Sequence, residues 1–330
     1  MILVKHHHEG NLLPYFYFAL EKYVLENLLK DNETYFFTWR IKGIVSGKNQ
    51  VIQNEINFPY VKEHNIKFFR RPTGGGSVYA DENNSMFSII TKRSKESFSF
   101  KTYLGKIIEA FKKLGVELEF SGRNDILLEG KKISGNAFLQ NKYGMLMHGT
   151  LMYDLDVETM VRALNPPDEK LISKGIQSVR SRVNNLKPYL NGMTHDEMIQ
   201  YLETELCDQV YELKPDEIKK IMEDAKFYQT DAFLYRMQPL YTQVVKNRFP
   251  WGGIEFKLDI QEGVIESMDI QGDFFELKEG LDDIKNLFLK QEWSYQQIQK
   301  IFNTIDIGTY ILGSNNEECL KMFEDVFLNT

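Results

Sequence analysis

Between residues 116 and 153 the sequence strings together four strand-like runs, 116–120, 125–128, 131–139 and 145–153. Glu129-Gly130 and Asn141 to Gly144 supply turns between the later runs, and no helical pattern interrupts them. Strands gathered in this way argue against a doubly wound parallel fold, in which strands and helices alternate. The expected class is therefore α+β, with a mixed or antiparallel sheet flanked by helices. Further strands are expected at 1–5, 34–39, 43–46, 67–70 and 86–91. A helix is expected from Pro14 to about Leu29, because Phe16, Ala19, Leu20, Tyr23, Val24 and Leu28 recur at helical spacing. A short helix is expected at 59–64. A stronger one is expected at 100–114, with Ser99 as N-cap and Gly115 as its stop.

From 157 to 237 the chain reads as mostly helical, with helices at 156–164, 194–213 and 215–224. Phe249-Pro250-Trp251-Gly252-Gly253 reads as a linker. Beyond it, 254–260 and 264–270 read as a hairpin turning at Glu262-Gly263. Helices at about 277–290, 294–302 and 315–328 complete a small α+β C-terminal domain. The expected division is 1–247 and 251–330.

The chain has 330 residues and a formal net charge of −7, which argues against a general nucleic-acid binder. Its hydrophobic fraction of 42% and charged fraction of 26% are those of an ordinary soluble protein. Cys207 and Cys319 are far apart, each on an expected helix, so neither a disulfide framework nor zinc spacing can be built from them. Met1 to Val4 is too short for a signal peptide, and no run approaches the roughly 18 apolar residues of a membrane helix. A soluble protein of a reducing, cytoplasmic compartment is expected, with no membrane or nucleic-acid partner. His6-His7-His8 reads as a solvated loop, because adjacent side chains diverge and no further ligand is placed nearby.

Four constellations carry chemistry. Arg70-Arg71-Pro72-Thr73-Gly74-Gly75-Gly76-Ser77-Val78-Tyr79-Ala80-Asp81 sets two arginines before three consecutive glycines. Missing Cβ atoms let a ligand lie on the main chain, and guanidinium forks suit carboxylate or phosphate. The plainer reading is a strand-turn-strand with a glycine hinge. A dinucleotide fingerprint is excluded, because its third glycine position is Tyr79 and strand follows. A Walker loop is excluded too: Gly43 to Asn49 is one residue short and lacks Ser or Thr after Lys48. Next, Gly122-Arg123-Asn124-Asp125 enters a hairpin whose partner strand carries Lys132 and Ser134-Gly135-Asn136-Ala137. Asp125 can hold a magnesium ion, and Lys132 can neutralise phosphate or carboxylate or else be an exposed hairpin lysine. Third, His148 and Gly149 sit inside an apolar strand, where a histidine is either functional or a satisfied core residue. Last, Lys170, Lys174, Arg180, Arg182 and Lys187 form a basic stretch, either a solvated loop or a flap over an anion.

These pieces, in this order, resemble the lipoate–protein ligases. That family's pattern is two arginines, a Gly-Gly-Gly turn, an aromatic and an aspartate; then G-R-N-D; then K-(V/I)-S-G-x-A; then H-G-T-L; then K-G-I-x-S-V-R-S-R-V. The matching residues are Arg70 to Asp81, Gly122 to Asp125, Lys132 to Ala137, His148 to Leu151, and Lys174 to Val183. The resemblance covers nearly the whole chain, and the closing residues look like the family's C-terminal accessory domain. It implies an α+β core shared with biotin–protein ligases and octanoyl transferases. It also implies a two-step reaction: (R)-lipoate and ATP, with Mg2+, give lipoyl-AMP, and a lysine of an acceptor lipoyl domain then takes the lipoyl group. The implied acceptors are E2 subunits of 2-oxoacid dehydrogenases or the glycine-cleavage H protein.

By the same resemblance Lys132 is the essential residue, touching the lipoyl carbonyl and the α-phosphate. Asn124 and Asp125 orient phosphates and metal. Gly74, Gly75 and Gly76 present backbone, with Arg71 and, less directly, Arg70 at the lipoyl or phosphate end. Gly135, Ala137 and Gly149 leave space for the nucleoside beside His148, and Arg180 belongs to a loop that closes over the adenylate. Trp39, Val78 and Tyr79 are candidates to line an apolar lipoyl tunnel, or else to pack the core. One position departs from the pattern: the family commonly has His-Asp where this chain has Ala80-Asp81. An octanoyl transferase would need a cysteine nucleophile near the motifs, and neither cysteine is there. A biotin ligase would lack the Arg70-Arg71 pair and the basic loop as written. A non-catalytic adenylate-binding paralogue is the remaining alternative, against which the retained Lys132 and Asp125 argue.

Overall fold

The computed structural model of the chain describes residues 1–7, 13–50, 55–92, 100–122, 124–164, 182–235, 242–261, 263–278 and 280–328. One large sheet organises the first two thirds. Its strands are β1 (Ile2–Lys5), β2 (Thr34–Arg40), β6 (Asn84–Thr91), β7 (Leu118–Phe120), β8 (Asp125–Leu128), β9 (Lys131–Gln140), β10 (Met145–Met152) and β11 (Gln209–Glu212), in the spatial order β11-β1-β2-β6-β10-β9-β8-β7. β1 pairs in parallel with β2 and β11, and the other pairings are antiparallel, so the sheet is mixed.

Both faces of this sheet are covered, which is why consecutive residues of β2, Tyr35, Phe36 and Phe37, are all large and apolar. Phe36 points to one face, where helix α3 (Phe100–Lys113) and the helix His195–Leu206 pack over Phe87, Ile89, Phe111 and Leu202. Its neighbours Tyr35 and Phe37 point to the other, against α1 (Pro14–Tyr23) with Leu20, Ile90 and Leu146. α1 runs on into a π-helical turn at Val24–Leu28, where Leu29 N bonds Val24 O at 3.0 Å.

A second sheet, β4-β3-β5, joins β3 (Gly43–Ser46) in parallel to β4 (Phe68–Arg70) and antiparallel to β5 (Val78–Ala80). The arginine-glycine stretch is the connection from β4 to β5. The third sheet is β12 (Gln243–Phe249), β13 (Gly252–Gln261) and β14 (Val264–Gly272), covered by helices Leu281–Phe288, Tyr295–Phe302 and Asn316–Leu328 around Phe256, Phe288, Phe302 and Phe323.

Two expectations are corrected. The helix expected over 194–213 stops at Leu206, and Gln209–Glu212 becomes the parallel edge strand β11. Cys207 is extended at the helix end, and Asp208 N bonds Met1 O, so the β-prone Val210-Tyr211 run is captured by β1. The linker expected at 249–253 is a hairpin turn: Phe249 pairs with Gly252, and the Phe249 and Trp251 rings stack at 4.9 Å. β12 therefore belongs with the C-terminal sheet, and the division expected between 247 and 251 falls inside a hairpin.

Candidate active site

β4 delivers Arg70 and Arg71 to the interior rather than to solvent. Arg71 is 5% exposed and clasps the glycine turn from inside. Its Nε donates to Thr73 Oγ1 at 3.0 Å, Nη1 to Val45 O at 3.1 Å, and Nη2 to Gly74 O and Gly76 O at 2.8 Å each. Burial, helped by neighbouring Arg70, pulls its pKa down to about 10, with the Glu21 carboxylate opposing. Gly75 has φ +89, the left-handed region, and a Cβ there would stand 2.9 Å from Arg71 Nη2.

A cleft of about 240 Å³ opens against this turn. Arg71, Gly75, Gly76, Ser77 and Val78 form one wall. Asn124, Asp125, Lys132, Gly135, Asn136 and Ala137 line the cleft as well, with His148, Gly149, Thr150 and Met86. Asp273 and Phe275, from the segment after β14, close one side. There Gly75 N donates to Phe274 O at 3.1 Å, and Phe275 packs beside Phe138 with ring centroids 5.7 Å apart.

Lys132 reaches the cleft because the β8–β9 ladder slips. Ile126 pairs with Ser134 but Leu127 with Lys132, leaving Ile133 as a bulge. The Lys132 backbone bonds the 182–184 segment instead, accepting from Asn184 N at 2.9 Å and donating to Arg182 O at 2.8 Å. Its Nζ lies 2.9 Å from Asp125 Oδ1, with both side chains about a third exposed. Gly135 makes room for it: a Cβ there would meet Lys132 Nζ at 2.7 Å. Asn124 Nδ2 donates to Asn136 O at 2.7 Å and Asn136 Nδ2 to Asn124 O at 2.8 Å, which pins the two strands together. Gly149 lets that pair approach, since a Cβ would fall 1.9 Å from Asn136 Oδ1.

His148 is 2% exposed and held at both nitrogens, Nδ1 to Glu21 Oε1 and Nε2 to Thr73 Oγ1, each at 2.8 Å. Of the residues singled out in the sequence, the structure thus brings Arg71, Gly75, Gly76, Val78, Asn124, Asp125, Lys132, Gly135, Ala137, His148 and Gly149 to one cleft. It does not bring Arg70, Gly74, Tyr79 or Trp39 to that lining. Arg70 is 1% exposed and donates to Gly47 O, Lys48 O, Gln50 O and Leu234 O, bracing the loop behind the turn. Gly74 backs onto the Phe274 carbonyl, which a Cβ would meet at 2.5 Å. Tyr79 faces away from Val78, into a cluster with Ile44 and Met152. Trp39 stacks on Tyr17 at 5.0 Å and donates to Ser88 Oγ at 3.1 Å. Ala80 is fully buried, and Asp81 accepts from Asn83 N and Asp156 N, a loop brace rather than a ligand. Arg180 lies outside the described residues.

Sequence reasoning passed over Glu21, Thr73, Thr150, Asp273 and Phe275. Glu21 carried a signal, a carboxylate interrupting the apolar spacing of α1, and Phe275 carried none. Neither cysteine lines the cleft, and burial pushes each thiol up to about 12, so no activated thiol serves this site. Among the described residues no group of three or more His, Cys, Asp or Glu is poised for a metal, and no helix is long and apolar enough to cross a membrane.

A mixed sheet thus carries one cleft lined by a buried, arginine-clasped glycine turn and by a lysine–aspartate pair. Residues 13–207 match the lipoyl protein ligase A/B catalytic domain, and residues 238–323 match the bacterial lipoate protein ligase C-terminus. The chain is 35% identical over 314 residues to lipoate-protein ligase LplJ of Bacillus subtilis, covering 92% of this chain and 95% of the relative. It is 34% identical over 315 residues to lipoate–protein ligase 1 of Staphylococcus aureus, covering 92% and 94%. The fold is that of P. falciparum LipL1, solved in complex with lipoate, with a TM-score of 0.81 at 23% identity over 100% of this chain and 99% of that one. A lipoate-protein ligase A solved with bound ATP superposes with a TM-score of 0.59 at 21% identity, over 71% of this chain and 97% of that one. The chain belongs to the lipoate–protein ligase family.

Proposed function

We propose that this ligase activates free (R)-lipoate with ATP and transfers the lipoyl group to a lysine of an acceptor lipoyl domain. The observation that carries the reading is Lys132, which lines the same cleft as the glycine turn and lies beside Asp125. In the first step a lipoate carboxylate oxygen attacks the α-phosphorus of ATP, the Pα–O bond to the β-phosphate breaks, and pyrophosphate leaves. Two anions must meet, so a cation at the reacting oxygens lowers the barrier. Lys132 supplies a point charge there. Arg71 contributes positive charge from beneath the turn, but its bonds are spent on protein oxygens, so it braces rather than grips. The Gly75-Gly76 backbone lies against the ligand, Val78, Met86 and Ala137 offer apolar contact, and Gly149 adds no side chain to the lining. In the second step the acceptor amine attacks the lipoyl carbonyl carbon, the anhydride C–O bond breaks, AMP leaves and the amine gives up a proton.

Mg2+ fits the donor set in one way. Asp125 alone does not make a protein cage, and Asp273, which also lines the cleft, is held by Arg248 and Gly253 N, but one or two carboxylates plus substrate phosphates are the usual magnesium shell. Such an ion would screen phosphate charge on arrival with the nucleotide. The acceptors we propose are E2 lipoyl domains of 2-oxoacid dehydrogenases or the glycine-cleavage H protein. A bi-partite lipoate protein ligase of Thermoplasma acidophilum has been characterised together with its E2 lipoyl domain. A cytoplasmic setting suits two unpaired, buried or half-buried thiols.

The test is to incubate the protein with ATP, Mg2+, lipoate and an acceptor lipoyl domain, and to weigh the acceptor by mass spectrometry. A lipoyl mass increment, with pyrophosphate released, is expected. Neither adduct nor pyrophosphate on any acceptor would reject the reading.

A further inference from the structure

Glu21 is a fully buried carboxylate that the proposed chemistry does not use. It sits on α1, under the sheet, with 0% exposure. Its Oε1 accepts from Ser88 Oγ at 2.6 Å and faces His148 Nδ1 at 2.8 Å, and Ser88 in turn accepts from Trp39 Nε1 at 3.1 Å. Its Oε2 has no hydrogen-bond partner among the described residues. Burying a carboxylate is costly unless its charge is used. One branch of these bonds leads to the cleft. His148 Nε2 meets Thr73 Oγ1 at 2.8 Å, Thr73 Oγ1 accepts from Arg71 Nε, and Arg71 Nη2 holds the carbonyls of Gly74 and Gly76.

With Glu21 as the carboxylate and His148 as a neutral imidazole, one proton placement gives every hydrogen bond of this chain a donor and an acceptor. Arg71 is donor only, so Thr73 Oγ1 must accept from it. That frees the Thr73 hydroxyl proton for His148 Nε2. The imidazole proton is then on Nδ1, donated to the Glu21 carboxylate. We propose that Glu21 is a positioning residue of the ligand cleft: it fixes His148 as the Nδ1–H tautomer and, through Thr73 and Arg71, sets the shape of the glycine turn that receives the ligand. The proposal rests on the lipoate-activating reading for its kinetic readout only. Glu21 also places a negative charge near Arg71, which favours the charged guanidinium against the cost of burial. The tautomer is the signature to read, because the hydrogen bond at one ring nitrogen decides which nitrogen carries the proton.

The experiment compares the full chain with Glu21→Gln, Thr73→Val and the double variant. Gln removes the charge and can present an amide N–H to His148 Nδ1, which would then have to accept, and melting curves confirm that each variant is folded. Imidazole 15N spectra, with His148→Gln to assign the signal, are expected to show the Nδ1–H tautomer in the wild type and its loss in Glu21→Gln. In ATP–pyrophosphate exchange with free lipoate as probe, each single variant is expected to raise KM for lipoate about tenfold or more while kcat changes far less. The double variant is expected to do no worse than the worse single, as members of one relay should. A wild-type Nε2–H tautomer, a His148 signal unmoved by Glu21→Gln, or additive losses in KM overturns the proposal. Should the wild type show no exchange with lipoate at all, the functional reading fails, and the imidazole spectra still decide the relay.

Discussion

Lys132 Nζ and Asp125 Oδ1 lie 2.9 Å apart across the bulged β8–β9 hairpin, and both residues line the cleft that the glycine turn also lines. Both groups are partly exposed, so the pair contributes little to stability, about 0–1 kcal/mol. Its position makes it worth more to the reaction. Lys132→Ala is therefore expected to melt within a few degrees of the wild type while adenylate formation falls by about a hundredfold or more, as for loss of a preorganised charge at a reacting oxygen. Pyrophosphate exchange and a thermal melt on the same preparation check this. Full activity in the variant would move the catalytic role away from Lys132.

Gly135 sits on the same strand and was expected to leave space for the nucleoside. The structure gives it a nearer task. A Cβ at 135 would stand 2.7 Å from both Lys132 Cε and Nζ, and the lysine tip is the flexible partner. Gly135→Ala is thus expected to push the lysine off Asp125 and lower exchange activity about tenfold, on the order of 1.4 kcal/mol in the barrier. A change in melting temperature too small to explain that loss should accompany it. A variant that unfolds instead would show that backbone, not Lys132, gives way.

How much of this was legible in the sequence depends on where each residue's partner lies. β2, β6 and β10 were readable because their apolar runs reflect burial on both faces. The cleft residues of the first three constellations were readable because each sits in a short local pattern. Edges were not: Gln209–Glu212 is a strand only because β1 is there to pair with it, and β12 only because Gly252-Gly253 lets the chain fold back. Arg70 and Tyr79 show the other limit. Both lie next to lining residues in sequence and point the opposite way, as neighbours on a strand must. Glu21 and Phe275 meet the site from far along the chain, and no local spacing could announce which residues they would meet there.

Arg70 is accordingly expected to behave as a core residue. Its guanidinium feeds the carbonyls of Gly47, Lys48, Gln50 and Leu234, and its removal leaves acceptors without donors inside the protein. Arg70→Met, which keeps the aliphatic stem, is expected to cost roughly 3 kcal/mol or more, read as a lowered urea midpoint. A variant with unchanged stability but weakened nucleotide binding would return Arg70 to the ligand.

His195 gives the fold an acid limit unrelated to the cleft. It is 9% exposed, stacked on Tyr153 with ring centroids 4.8 Å apart, and its Nε2 lies 2.5 Å from Ser85 Oγ. Burial first, and then the nearby Arg40 charge, pull its pKa down to about 4 from an ordinary value near 6.5. The unfolded chain therefore binds this proton at a higher pH than the folded one does. Stability from this group is fully present above about pH 6.5 and is lost as pH falls toward 4, by up to on the order of 3 kcal/mol. His195→Gln lacks the titration, so its denaturation midpoint should fall less steeply between pH 6.5 and 4 than that of the wild type. Parallel slopes for the two proteins would mean that His195 accepts a proton in the folded state as readily as in the unfolded one.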